Sequence, residues 1–203
     1  MSAFLGPIHY WLYNKIQLQQ AIVEEVYLLG EQNGLNLADD CNTNFGISPD
    51  RPLEEMIDHG NIHGWLQEQV SQVEYKYAYS VTKLLKKNPD TLNQLTSLLF
   101  HKGSELAVSL ADSDVKATDL FKAITDNLLD GMPCDHANRL LAQSEVEVTW
   151  TRNLCVHQSY WDEIGGDINI YYLLRDSWME GLVGKLGYQL EKVDSVTYTI
   201  KAV

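Results

Sequence analysis

The stretch Gly60-Asn61-Ile62-His63-Gly64-Trp65-Leu66 repeats one already spelled as Gly6-Pro7-Ile8-His9-Tyr10-Trp11-Leu12, with five of seven positions identical at an offset of 54. Each copy opens a long pattern of apolar residues at helical spacing, and each sets a histidine about one turn from the start. The fold therefore has to accommodate two long helices that begin alike.

The first pattern predicts a helix over about 8–30, with Ile8, Leu12, Ile16, Ile22, Val23 and Val26 on one side, Pro7 suited to its first turn and Gly30 to its end. The second predicts a helix over about 53–87 after Pro52, with Ile62, Leu66, Val70, Val73, Tyr77, Val81 and Leu84 as its stripe. On a wheel of about 100° per residue, His59 falls near the middle of that stripe and His63 at its edge. Between the two lies a long connector, 31–52, rich in Asn, Asp and Gly. It contains Asp40-x-Asn42-x-Asn44, a superficial calcium-loop pattern, but Gly46 stands one place late and Arg51 occupies the position of the bidentate Glu. Asn88-Pro89-Asp90 breaks the second helix. A third is expected over about 91–110, and a fourth over about 115–129, capped by Ser113 or Asp114.

After Pro133 the character changes. A short helical stretch to about Gln143 leads into a strand at about 145–152, where Val146, Val148 and Trp150 alternate with polar residues. Gly165-Gly166-Asp167 opens a further helix to about Leu186, and the tail over about 188–202 reads as a hairpin. The expected class is α+β. One compact domain spans 1–203, with a mainly helical part over 1–131 packed with a small antiparallel sheet from 132–203.

The repeat suggests a site. An extended connector of this length reaches about 70 Å, against about 35 Å for the first helix, so the chain can return and run its second helix parallel to the first. His9, His59 and His63 then form a candidate metal set, His59 and His63 being spaced i, i+4. Three neutral imidazoles suit zinc or iron, and two opposed ones a haem. The commoner use of such a motif is structural, with the Ile and Leu packing and the His bonded to a backbone carbonyl. A second candidate set is the doubled C-x-H spacing Cys134, His136, Cys155 and His157, against a default of free thiols and surface imidazoles. The third feature is Arg175, in the middle of an apolar stripe with Tyr171 and Tyr172, where a guanidinium needs an anion. That anion is either a ligand's carboxylate or phosphate or an internal partner.

Composition excludes other classes. With 28 acidic against 15 basic residues, the net charge of −13 opposes nucleic acid or an anionic membrane surface as partner. No apolar run reaches the roughly 20 residues a spanning helix needs. Three cysteines and no basic, apolar leader fit a soluble cytoplasmic protein. Phosphate-loop, nucleophile-elbow and dinucleotide motifs are absent from the sequence.

From about Val148 onward the order of features resembles the 4-vinyl reductase domain. The matching residues are Arg152-Asn153-Leu154-Cys155 at a strand end, a glycine turn, Tyr171-Tyr172-Leu173-Leu174-Arg175 with Trp178-Met179-Glu180-Gly181-Leu182, and a hairpin ending in Tyr198-Thr199-Ile200. The likeness covers about 55 residues. It implies an apolar small-molecule pocket, near Trp150, Tyr171, Tyr172 and Arg175, and pairing of subunits through helices into a homodimer or other homo-oligomer. This hairpin has no cysteine, so metal or redox behaviour tied to hairpin cysteines does not carry over. The expected function is a small-molecule or metallocofactor-binding protein that senses, carries or stores its ligand. The alternatives are an enzyme using a histidine-bound metal and a structural oligomer without ligand.

Overall fold

The computed structural model describes residues 4–48, 50–111 and 114–203. The class is α+β, helical through the first two-thirds, with a four-stranded antiparallel sheet at the C-terminal end. The chain divides into two compact units. The first comprises Met1–Pro89, Asn127–Asp135 and Val156–Asp167, and the second Asp90–Asp126, His136–Cys155 and Ile168–Val203.

In the first unit the repeat produces two helices of equal length, α1 (Pro7–Gln32) and α4 (Ile62–Lys87), each of 26 residues. They run parallel. Tyr13 and Trp65 meet near their starts with ring centroids 6.1 Å apart, and the residues that close them, Asn33 and Asn88, are hydrogen-bonded at 3.2 Å. The connector is not an irregular loop, since it folds α2 (Leu37–Phe45) under an Asn36 cap; a single turn, α3 (Leu53–Met56), opens the span predicted as the second helix. The Asp40-x-Asn42-x-Asn44 pattern is thereby helical, with Asn44 bonding back to the Asp40 carbonyl at 2.7 Å. α7 (Gln158–Ile164) completes the unit, and Trp161 packs on Tyr77 of α4 at 6.1 Å.

One expectation fails inside the second predicted helix. Asp58 accepts the Gly60 amide at 2.8 Å, which closes a turn, and Asn61 then caps α4 by accepting the Gly64 amide at 3.2 Å. A helical wheel begun at Pro52 therefore carries across a break. His59 lies in the turn, exposed, and not in the apolar stripe.

The second unit holds α5 (Thr91–Leu110), most of α6 (Ala117–Asn127), α8 (Ile168–Lys185) and the sheet β1 (Asn138–Gln143), β2 (Glu147–Arg152), β3 (Tyr188–Lys192) and β4 (Thr197–Ala202), ordered β1-β2-β4-β3. On one sheet face Val148 pairs with Ile200 and Trp150 with Tyr198, all buried, and Phe121 of α6 packs on Trp150 at 5.2 Å. α5 and α8 approach closely because Gly103 faces the Trp178 carbonyl and Gly181 faces that of Phe100, where a Cβ would overlap. Asp119 accepts the Lys116 amide at 3.0 Å just before α6, and of the two caps expected there, Ser113 lies outside the described residues.

β1 replaces the helix expected over 133–143, of which only a 3-10 turn, Pro133–Asp135, is helical. Its residues, Leu140, Leu141, Ala142 and Gln143, are good helix formers. Pairing with β2 overrides that preference. The strand is largely exposed and bulged between Leu140 and Ala142, features typical of a sheet edge.

Candidate functional site

Because α1 and α4 are parallel, the two copies of the repeated motif come to the same end of the first unit. There they line a cavity of about 180 Å³ with Ile8, His9, Leu12, His63, Leu66, Met132, Pro133 and Cys134. The walls are mostly apolar. The polar groups are two imidazoles and a free thiol, and the space is large enough for a small organic molecule.

The histidines are not equivalent. His9 is the third residue of its helix and His63 the second. His9 closes a reciprocal cap in which its amide donates to the Gly6 carbonyl at 3.0 Å and its Nδ1 accepts the Gly6 amide at 2.9 Å. An acceptor Nδ1 fixes the neutral ring as the Nε2–H tautomer, so His9 has a donor to offer a ligand and no lone pair for a metal. His63 is exposed and has no hydrogen-bond partner among the described residues. Among those residues, no group of three or more His, Cys, Asp or Glu side chains is placed to hold a metal ion.

The third wall of the cavity is held from behind. His157 is buried, with Nδ1 2.9 Å from Glu74 Oε1 on α4 and Nε2 3.9 Å from Asp130 Oδ1. Burial alone opposes a charge there and is the largest single influence, but the two carboxylates together outweigh it and raise His157 to about 9. The ring is an imidazolium at neutral pH. It ties the segment that carries Met132, Pro133 and Cys134 to the long helix, and Asp135 adds a bond from the Met132 amide at 2.7 Å. Gly131 has φ +70, where a side chain would be strained and would press on Asp135 and Val156.

The remaining expected site residues separate. Cys134 and His136 are exposed. Cys155 accepts the Tyr172 hydroxyl at 3.0 Å, and His157 is engaged by Glu74. In the second unit the Arg152 guanidinium lies 3.6 Å over the Tyr172 ring, and Arg175 Nη1 donates to the Tyr171 hydroxyl at 3.3 Å. Arg175 is half-buried on α8, whose buried residues include Tyr171, Leu174, Trp178, Met179 and Leu182. Trp150 stacks on Tyr198 at 5.5 Å as part of the sheet core.

Sequence reasoning missed Glu74 and Lys76, both buried on α4, and the signal was visible as charges flanked by Val73 and Tyr77. A scan against protein-family models, a search of curated proteins and a search of solved structures each found no match to this chain. They add nothing to the 4-vinyl reductase likeness.

Proposed function

We propose that this chain binds a compact small molecule, apolar over most of its surface and carrying one hydrogen-bond acceptor, in the cavity at the paired starts of α1 and α4. The carrying observation is the convergence of His9 and His63 on one mostly apolar space, with the His9 tautomer set by the Gly6 amide. Five apolar side chains would hold the body of the ligand, and Nε2–H of His9, joined by a ring N–H of His63, would take its acceptor. The positive ends of two parallel helices favour an anionic acceptor such as a carboxylate. Sensing, carrying or storing such a molecule in the cytoplasm is the role this supports. No described helix is long and apolar enough to cross a membrane.

A bound zinc, iron or haem is less well supported. For His9 to ligate a metal through Nε2 it would have to release the Gly6 amide and reverse its tautomer, and His59 stands in the turn before α4.

Benzoate and toluene test the reading, since they share a ring and differ in the acceptor. At about 100 times its dissociation constant a ligand stabilises by about 2.7 kcal/mol, or about 5–10 °C in melting temperature for a chain of this size. Benzoate is expected to give such a shift and toluene a smaller one. His63→Ala should leave the unliganded melting temperature unchanged and weaken benzoate by about fivefold to tenfold, the loss of one hydrogen bond. Equal shifts from both probes, or none from either, would refute the acceptor reading. A stoichiometric metal in the purified protein, lost in His9→Ala with His63→Ala, would favour the metallocofactor reading instead.

A further inference from the structure

A second polar cluster in the first unit lies apart from that cavity's lining. Lys76 is only 1% exposed, yet among the described residues no carboxylate comes within ion-pairing distance of it. Its Nζ instead donates to Ser48 Oγ at 2.8 Å, in the connector just after α2. Ser48 itself is half-buried. The hydroxyl donates its proton to Gln20 Oε1 at 2.8 Å, with Gln72 Oε1 at 3.3 Å as a second acceptor. An ammonium deprived of water and of a counter-ion is the less stable form of a lysine, and an amine one hydrogen bond from a serine hydroxyl is placed to act as its base.

We propose that Ser48 and Lys76 form a nucleophilic dyad that reacts with small acyl esters and related electrophiles. In the first step Ser48 Oγ forms a bond to the ester carbonyl carbon and its proton passes to neutral Nζ of Lys76. The tetrahedral adduct collapses, the bond to the alcohol oxygen breaks, and Lys76 returns the proton to the leaving alkoxide. Water then adds to the acyl-serine with the same base, releasing the carboxylic acid and restoring Ser48. Gln20 and Gln72 are positioning residues that accept the hydroxyl proton at rest, and that proton turns from Gln20 to the amine as Oγ attacks. Burial lowers the Lys76 pKa, and the titratable groups that act against this are Cys41 of α2 and Glu24 of α1.

A fluorophosphonate probe tests the dyad on the full chain, because Ser48 attack forms a P–O bond, breaks P–F and adds one stable mass increment. The expected result is a single adduct mapped to Ser48, absent in Ser48→Ala and reduced at least 100-fold in rate in Lys76→Met. Methionine matches the lysine stem and suits a buried site, and a melting curve establishes that the variant is folded. Should Lys76→Met unfold, Lys76→Arg serves, since it keeps a cation but offers no base at neutral pH and should be equally unreactive. The proposal is overturned by a folded wild-type chain that takes no label at Ser48 between pH 6 and 10. Label on another residue, or Ser48 labelling that survives loss of the lysine, overturns it as well.

Discussion

Glu74 and His157 show how much a single buried pair decides in this molecule. Removing the imidazolium leaves the Glu74 carboxylate buried, with Oε1 newly unpaired and Oε2 already without a partner among the described residues. His157→Ala should therefore cost about 3–5 kcal/mol in urea unfolding, whereas the double change Glu74→Leu with His157→Leu should cost far less. The pH dependence follows from the raised pKa. The folded chain holds this proton more tightly than the unfolded chain, whose histidine titrates near 6.5, so the contribution is fully present below about 6.5 and fades as pH rises through about 9. Urea midpoints between pH 7 and 10 should fall more steeply for the wild type than for the double variant, and parallel curves would contradict the ion pair. The burial of Glu74 was legible in its apolar flanks, but its pairing with His157 was not. His157 is 83 residues from Glu74, and a histidine in a C-x-H spacing looks like a metal ligand until its carboxylate neighbours are known.

Among the elements, those with a strong period were readable and those fixed by partners were not. The helices over 8–30 and 91–110 and the closing hairpin correspond to α1, α5 and the β3–β4 pair because their apolar spacing matches the faces they bury. β1 escaped because its Leu and Ala residues have helical preference and its strand form comes only from pairing with β2. The turn at Asp58–Asn61 escaped because one aspartate and one asparagine cap outweigh a stripe that continues on both sides. The contact between α5 and α8 is set by the smallest residues. Gly103→Ala and Gly181→Ala should each destabilise by about 1–3 kcal/mol through forced separation of the two helices, while Gly184→Ala, facing open space on α8, should be neutral or slightly stabilising. A thermal melt of the three variants distinguishes close approach from a general intolerance of side chains.

At the scale of the whole molecule, the repeated motif acts through direction. Two helices of 26 residues laid parallel bring both copies to one end, together with a segment from after α6 that the His157 pair holds in place. The sequence suggested that the histidines could meet. Their chemistry at the meeting point depended on one hydrogen bond, from the Gly6 amide to His9, which makes His9 a donor. Long-range ¹H–¹⁵N spectra of the imidazole side chains at pH 7.5, with and without benzoate, test this most directly. The account predicts the Nε2–H tautomer for His9 in the free protein, and benzoate-dependent shifts at His9 and His63 while His101 and His136 stay unmoved. A protonated Nδ1 in His9, or a benzoate response that bypasses both cavity histidines, would contradict it.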